Sequence, residues 1–401
     1  MKNITPAFDS NLLSASAEEK IDYFKNKIVR HPHLEQSYNL ARECIEFSEK
    51  GEIVWIVGPV GVGTSQIGRK LWSDSRHSAS ELDDGEISAS TSPCIAVTAP
   101  DHSDRIDTKY WTRLLGDILR AHGDILIDRK IYAPPNQFTL THPIPYVDPR
   151  NRDFDALKYA VINMMQHRRT KLLLINQADR LLPESHPGGC LRSLQILRDL
   201  AAQTDARIVL IGSYQLAHSA CTRNNWLRRQ QTVHLRRYDH TNPQEFKSYA
   251  LALINLLAEM PIENRLEALS VEAAKDLCIS TVGCVGTLKR ALTQAFQHAL
   301  RTGEKMTEDF ILQFAPYNKV ALEIAEDTKR GERLFLDVSL DEVRDVLNAT
   351  TAEPTRGIRN GPGKPIPKIA TGSPGGINQR RIGERNSSRD PSGGAHGSQH
   401  P

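Results

Sequence analysis

Short runs of apolar residues alternate with longer amphipathic segments through the first 240 residues of the chain. Continuous apolar runs of four to six residues are typical of strands that are buried on both faces of a parallel sheet. The predicted strands are Ile53–Val57, Cys94–Ala99, Leu172–Ile175 and Arg207–Ile211. Apolar residues at helical spacing predict helices near 18–27, 34–50, 65–74, 107–121, 154–168 and 191–203. The pattern therefore predicts an α/β fold, with a parallel sheet flanked by helices.

Beyond Asn242 the pattern becomes wholly helical, which predicts a small all-helical C-terminal lid domain behind the α/β domain. The helices are expected at 243–259, 270–279, 285–302 and 307–314. After about Thr350 the chain is rich in Gly, Pro and Ser and too poor in apolar residues to fold alone. The predicted division is an N-terminal extension (1–33), an α/β domain (34–240), a helical lid domain (241–335) and a disordered tail (336–401).

The excess positive charge is concentrated in the tail. The formal net charge is +3, and residues 352–401 contain eight Lys and Arg against three acids, so the rest of the chain is slightly acidic. A basic, unfolded tail is typical of an arm that contacts nucleic acid. A solvated tail without a partner is the alternative, and the sequence leaves both open.

The cysteine pattern and the hydropathy of the chain indicate the cellular compartment in which the protein is expected. The six cysteines are scattered without a Cys-x-x-Cys pair, which indicates neither a zinc site nor a disulfide framework and favours a reducing, cytoplasmic setting. The longest apolar runs, such as Ile53–Val57, are far shorter than the ~18 residues of a membrane span, so no membrane partner is expected. The first residues also lack the apolar region of a secretory signal.

A glycine-rich segment, Gly-Pro-Val-Gly-Val-Gly-Thr-Ser, follows the first predicted strand and precedes a predicted helix. The phosphate-binding P-loop pattern is G-x-x-x-x-G-K-[ST] in this same context. Gly58, Gly63 and Ser65 match it, but Thr64 stands where the Lys belongs. The helix N-terminus still attracts phosphate, while the missing ammonium removes a charged hydrogen bond of about 1.5–3 kcal/mol. The predicted phosphate-binding residues are Gly58, Pro59, Val60, Gly61, Val62, Gly63, Thr64 and Ser65.

A second departure follows the strand Leu172–Ile175. NTPases place two acids at this point, the first to hold Mg²⁺ and the second to polarise the attacking water, whereas this chain has Asn176 and Gln177. Ser65 and Asn176 are therefore only weak candidates for magnesium ligands, because Mg²⁺ prefers carboxylates. The remaining acid, Asp179, is expected to lie beyond the strand. Hydrolysis should be weak or absent, although a Gln orients the water in some GTPases.

The segments after the next strand contain further candidates. Arg207–Ile211 leads to Gly212 and Ser213, and the stretch that follows carries a basic cluster: Arg223, Arg228, Arg229, His234, Arg236 and Arg237. An arginine of this cluster could serve as a finger for a neighbouring subunit's nucleotide or contact a phosphate backbone. A solvated, ion-paired surface is the alternative, and the sequence does not decide between them.

In order and spacing these segments resemble the AAA+ transposition helpers of the TniB/TnsC group, which are related in role to the phage MuB protein. The resemblance extends from about residue 28 to 333 and is carried by 58–65, 172–179, 208–216, 228–238 and 281–292. It implies that Ser213 is the sensor 1 residue and that Lys289 is the sensor 2 cation. It also implies that Arg228 or Arg229 is the arginine finger, and that Asn176 and Gln177 form a degenerate Walker B motif.

The resemblance further implies a P-loop NTPase (AAA+) fold and an ATP-dependent oligomer that binds duplex DNA. Its cofactor would be ATP or ADP with Mg²⁺, and its partners a transposase and a target-selection protein. Thr64, Asn176 and Gln177 replace the residues that carry out ATP hydrolysis in this group. The expected function is therefore a transposition regulator or adaptor with weak or no ATP hydrolysis. The expected assembly is a homo-oligomer or a mixed oligomer with an intact ATPase paralogue. An active ATPase that uses a cation in trans, and a decayed relic of a mobile element, remain alternatives.

Overall fold

A five-stranded, wholly parallel sheet forms the centre of the α/β part, with the strand order β2-β3-β4-β1-β5. The computed structural model describes residues 4–82, 91–101, 106–125, 127, 152–182, 187–221, 230–337 and 339–349. The strands are β1 (Ile53–Val57), β2 (Cys94–Thr98), β3 (Leu172–Asn176), β4 (Arg207–Gly212) and β5 (Gln230–His234).

Helices cover the sheet and build the C-terminal part. Those of the first half are α1 (Ala17–Asn26), α2 (Pro32–Phe47), α3 (Thr64–Leu82), α4 (Thr108–Ala121), α5 (Arg152–His167), α6 (Pro187–Gln203) and α7 (Tyr214–Cys221). Those of the second half are α8 (Pro243–Ala258), α9 (Val271–Ser280), α10 (Val285–Thr302), α11 (Glu308–Leu312), α12 (Asn318–Glu332) and α13 (Leu340–Ala349). Among the helices described, none is long and apolar enough to cross a membrane.

The inner strands of the sheet are buried on both faces, as the continuous apolar runs predict. Along β1, Trp55 belongs to the core cluster that includes Trp111 of α4, whereas Val54 and Ile56 belong to the cluster that includes Ile67 of α3. Alternate residues of a strand point to opposite faces. A strand covered on both sides therefore needs an apolar residue at every position, and β1 is buried throughout.

Strand register brings the chemically interesting ends together. Val57 at the end of β1 pairs with Gly212 at the end of β4, and Asn176 at the end of β3 pairs with Ile211. Because parallel strands end at the same edge, the glycine loop, residues 176–179 and Ser213 all start from one edge of the sheet. In open α/β folds this edge is where ligands bind.

The helical part has a separate core that also contains the N-terminal segment. Phe24 of α1 is fully buried against Phe296 of α10, with ring centroids 5.5 Å apart. The amide of Ile4 donates to the carbonyl of Glu267 at 2.9 Å, and Ile4 is part of the same core. The predicted N-terminal extension therefore packs on the helical part. The predicted domain boundaries otherwise remain predictions.

Among the described strands and α-helices, four were not predicted: β5, α7, α12 and α13. β5 reads Gln-Gln-Thr-Val-His and is an edge strand, so it lacks the apolar run by which the inner strands are recognised. α13 lies within residues 336–401, for which the sequence predicts a disordered tail, so helical structure extends to Ala349. Most of the proline-rich segment 123–150, and the rest of the predicted tail, lie outside the described residues.

Candidate functional site

The glycine loop joins β1 to α3 and adopts a conformation that depends on its glycines. Gly61 has φ +82° and Gly63 has φ +118°, in the left-handed region that favours glycine. At Gly58 a Cβ atom would stand 2.4 Å from the carbonyl oxygen of Leu235, so any side chain there would collide with backbone. The loop therefore has the backbone conformation of a P-loop. The replacement of the lysine by Thr64 removes a positive charge but leaves this conformation possible.

The loop forms one wall of a cavity of about 450 Å³. Every residue from Gly58 to Ser65 lines it, and so do Gln177, Asp179 and Ser213. These residues come from the ends of β1, β3 and β4, which the sheet register places at one edge. The structure thus brings together the glycine loop, one of the two amides and the predicted sensor 1 residue.

The cavity also has an apolar wall that sequence reasoning missed. Its members come from the segment before α2, from α2 itself and from the helical part: Ile28, Val29, Leu34, Leu256 and Val285. A cavity with a phosphate-type loop and apolar side chains suits a nucleotide, whose base is apolar on its faces. The only signal in the sequence was the apolar pair Ile28–Val29.

His31 fixes this wall to the body of the α/β part. Its ring is buried, and its Nδ1 lies 3.0 Å from the hydroxyl of Tyr238. Burial lowers the pKa of His31 from 6.5 to about 4, and the nearby His33 contributes in the same direction. The imidazole is therefore neutral at pH 7, which leaves one ring nitrogen to accept a hydrogen bond from the amide of Leu34 at the start of α2.

Helix α10 begins directly against the glycine loop. The amide of Thr287 donates to the carbonyl of Gly61 at 3.0 Å, and a Cβ on Gly286 would stand 2.4 Å from that same oxygen. This close contact places the next turn of α10 at the rim of the cavity, where Lys289 and Arg290 line it.

The predicted sensor 2 cation, Lys289, is engaged within the protein. Its ammonium donates to the carbonyl of Lys25 at 2.8 Å and to that of Lys27, so it caps the last turn of α1. Burial lowers the pKa of Lys289. Arg290, one position further, has an exposed side chain and makes neither a hydrogen bond nor an ion pair with the residues that the structure describes.

Asn176 lies at the end of β3, but it is not among the described residues that line the cavity. Its amide oxygen is buried without a hydrogen-bond partner in the described structure, and it lies 3.2 Å from where a Cβ on Gly68 of α3 would stand. Gln177 does line the cavity, with its backbone in the left-handed region at φ 53° and ψ 41°. Of the two predicted metal candidates, only Ser65 therefore reaches the cavity.

Asp179 and Ser213 form the strongest polar contact of the site. The carboxylate oxygen Oδ1 of Asp179 accepts hydrogen bonds from the backbone amide of Ser213 at 2.6 Å and from its hydroxyl at 2.9 Å. Asp179 lies beyond β3, as expected, in a short 3₁₀ turn at Ala178–Leu181. The sequence did not indicate that this turn returns the carboxylate to the cavity.

These donors do not fit a magnesium site. Mg²⁺ requires near-octahedral oxygen ligands, among them one or two carboxylates. The described lining offers the Ser65 hydroxyl, the neutral Gln177 and the Asp179 carboxylate, one oxygen of which already accepts two hydrogen bonds. Three cationic side chains line the same cavity: Lys27, Lys289 and Arg290.

The predicted finger residues Arg228 and Arg229, and also Arg223, lie outside the described residues. The described arginines of that cluster are paired within the chain. Arg236 contacts Glu245 at 3.5 Å, and Arg237 contacts Glu332 at 2.9 Å. The described part of the cluster is therefore largely an ion-paired surface.

Comparison with known proteins bears on the fold. The model of a family described as an AAA domain matches residues 48–219. No curated protein matches the chain.

Solved structures that resemble the chain include three with similarly low scores. The ORC2 protein of Aeropyrum pernix, solved with ADPNP and ADP, has a TM-score of 0.46 and 13% identity, over 75% of this chain and 73% of that one. A Walker-type ATPase of Pyrococcus abyssi has a TM-score of 0.40 and 14% identity, over 82% of this chain and 81% of that one. Domain III of the replication initiation protein DnaA of Thermotoga maritima has a TM-score of 0.39 and 12% identity, over 73% of this chain and 95% of that one.

With TM-scores below 0.5, these likenesses carry no argument about function. The assignment rests on the family match, the parallel sheet and the glycine loop between β1 and α3. Residues 48–219 therefore match the model of an AAA domain, and the chain has the α/β fold of the AAA+ P-loop NTPases.

Proposed function

We propose that this chain is a nucleotide-binding AAA+ protein that acts as a regulator or adaptor of DNA transposition, with weak or no ATP hydrolysis. The observation that carries the nucleotide part is the cavity in which the glycine loop meets the apolar wall of Ile28, Val29 and Val285. The phosphates of ATP or ADP suit the glycine loop, and the base suits the apolar wall.

Phosphate binding depends on what replaces the lysine. The N-terminus of α3 carries roughly half a positive charge and free amide donors, which attract phosphate without any side chain. Arg290 is the cation of the cavity rim that has no partner within the described structure. We assign it, in place of the engaged Lys289, the role of contacting phosphate.

Hydrolysis is expected to be weak or absent because phosphoryl transfer depends on positioned charge. Thr64 and Gln177 are neutral, and Asn176 is not part of the described cavity lining. Asp179 favours one alternative, a slow ATPase, because its carboxylate lines the cavity and is the only acid among the described lining residues. In that case Asp179→Asn would abolish the turnover of the wild type.

The transposition part is supported by the resemblance of the segment order to the TniB/TnsC group and by the basic stretch 352–401. The partners proposed are duplex DNA, a transposase and a target-selection protein. The chain would assemble with itself, or with an intact ATPase paralogue whose site Arg228 or Arg229 completes.

Nucleotide binding and hydrolysis test the first part, with the wild type measured beside the triple variant Thr64→Lys, Asn176→Asp and Gln177→Glu. We expect weak binding and no turnover above a buffer blank for the wild type. The triple variant should bind tenfold or more tightly, given about 1.5–3 kcal/mol for a charged hydrogen bond. Wild-type turnover at a rate typical of ATPases would refute the loss of hydrolysis.

DNA binding tests the second part on the full chain. Fluorescence anisotropy with duplex DNA at several salt concentrations should show affinity that falls steeply with salt, since each neutralised phosphate contributes about 0.9 to the slope. Replacing Arg380, Arg381 and Arg385 by Ala should reduce that slope. An unchanged slope would show that the tail makes no DNA contact, and absence of any DNA binding would refute the proposed role.

A further inference from the structure

We infer that the cavity binds its nucleotide as the metal-free anion, so that affinity does not depend on Mg²⁺. This inference rests on the proposed function only in that the ligand is a nucleotide. It concerns the chemical form in which the phosphates enter, which the glycine loop alone does not determine.

The first argument is the oxygen ligands. A bound Mg²⁺ ion keeps several waters and needs carboxylates or phosphates for the remaining positions. The buried amide oxygen of Asn176 lies beside Gly68 of α3, and Asn176 is outside the described cavity lining. Oδ1 of Asp179 is held by the amide and hydroxyl of Ser213. The protein thus offers the ion the Ser65 hydroxyl, which can instead donate to a phosphate oxygen, and the second oxygen of a single carboxylate, Asp179.

The second argument is the sign of the charge around the phosphates. The described charged side chains of the lining are three cations, Lys27, Lys289 and Arg290, and one carboxylate, Asp179. Lys27 is neutralised by Glu259 at 3.0 Å. The remaining cations attract the phosphate anion and repel a second cation.

The third argument is geometric. The contact between Gly61 and Thr287 holds α10 against the glycine loop, and so places Arg290 at the rim of the same cavity as the loop's amides. A guanidinium presents a fork of donors that matches phosphate oxygens and cannot lose its proton. Arg290 therefore supplies the positive charge that the metal and the P-loop lysine supply in an intact site.

The test is a titration of the full-length protein with a fluorescent ADP, in magnesium chloride or in excess EDTA at matched ionic strength. For the wild type we expect the two dissociation constants to agree within about twofold, far less than the tenfold that corresponds to 1.4 kcal/mol. A wild-type affinity that falls tenfold or more in EDTA would overturn the inference and leave the proposed function intact. Absence of binding in both buffers would refute the proposed function itself.

Four variants sharpen the result. Gln177→Glu adds a carboxylate to the cavity lining and should weaken binding more in EDTA than in magnesium. Gln203→Glu adds the same charge at the exposed end of α6 and should change neither value. Arg290→Ala should weaken binding about equally in both buffers, and Arg290→Lys should restore part of the loss. Arg290→Ala binding as the wild type does would contradict the assignment of this cation. Circular dichroism of each variant confirms that it is folded.

Discussion

The hydrogen bonds between Asp179 and Ser213 join the ends of β3 and β4, and their removal has a calculable effect on stability. We predict that Asp179→Ala lowers the free energy of unfolding of the α/β part. The substitution removes the acceptor of two hydrogen bonds, at 2.6 Å and 2.9 Å, and leaves the partly buried amide of Ser213 without that acceptor.

The magnitude follows from the charge of the acceptor. Hydrogen bonds to a charged group contribute about 1.5–3 kcal/mol each, and both donors are only partly buried, so the lower value applies to each bond. The expected loss for Asp179→Ala is therefore about 3 kcal/mol. Asp179→Asn keeps an oxygen acceptor in the same place and loses only the charge, so its loss should be about 1 kcal/mol.

Urea unfolding followed by tryptophan fluorescence is the assay, because Trp55 and Trp111 are buried in the core of the α/β part. The matched control is Asp199→Ala, which removes an exposed ion pair with Lys158 at 3.0 Å. Exposed pairs contribute about 0–1 kcal/mol, so the control should unfold close to the wild type.

The order of the urea midpoints of the three variants tests the structural role of the Asp179–Ser213 contact. We expect the urea midpoint to fall most for Asp179→Ala, less for Asp179→Asn and least for Asp199→Ala. An Asp179→Ala midpoint equal to that of Asp199→Ala would refute a structural role for the Asp179–Ser213 contact.

Two further predictions concern other parts of the fold. Burial lowers the pKa of His31 from 6.5 to about 4, so the unfolded chain binds a proton in that interval that the folded chain does not. Stability should be full above pH 6.5 and fall progressively toward pH 4, by about 3 kcal/mol from this residue. His31→Asn, which keeps an N-cap acceptor, should flatten that part of the profile of thermal midpoint against pH, and an identical profile would contradict the assignment. Separately, Gly331→Ala places a Cβ 2.1 Å from the ring of Tyr214, so α12 must move away from α7. We expect a loss of about 1–3 kcal/mol. Lys329→Ala, a change on the exposed surface of the same helix, should cost far less, and equal losses for the two variants would refute the close contact.

The elements whose signals are local can be read from the amino-acid sequence alone. The apolar runs of β1, β2, β3 and β4, the glycines at 58, 61 and 63, and the periodicity of α8 and α10 all depend on neighbours along the chain. A strand buried on both faces requires a continuous apolar run, and a loop with left-handed backbone requires glycines, so both can be recognised from consecutive residues. The loss of charge at Thr64 was likewise readable without coordinates.

Which of these elements contact one another is set by the folded chain and cannot be read from local sequence. Strand order places β4 between β1 and β3, and that order lets Asp179 reach Ser213, 34 positions away in sequence. Packing of α1 on α10 engages Lys289 with the carbonyls of Lys25 and Lys27, and so leaves Arg290 as the cation without a partner in the described structure. Such contacts join residues far apart in sequence, and they form only because the buried cores fix the elements that carry them. No local pattern encodes them, and for that reason the chemistry of the cavity became readable only in the folded chain.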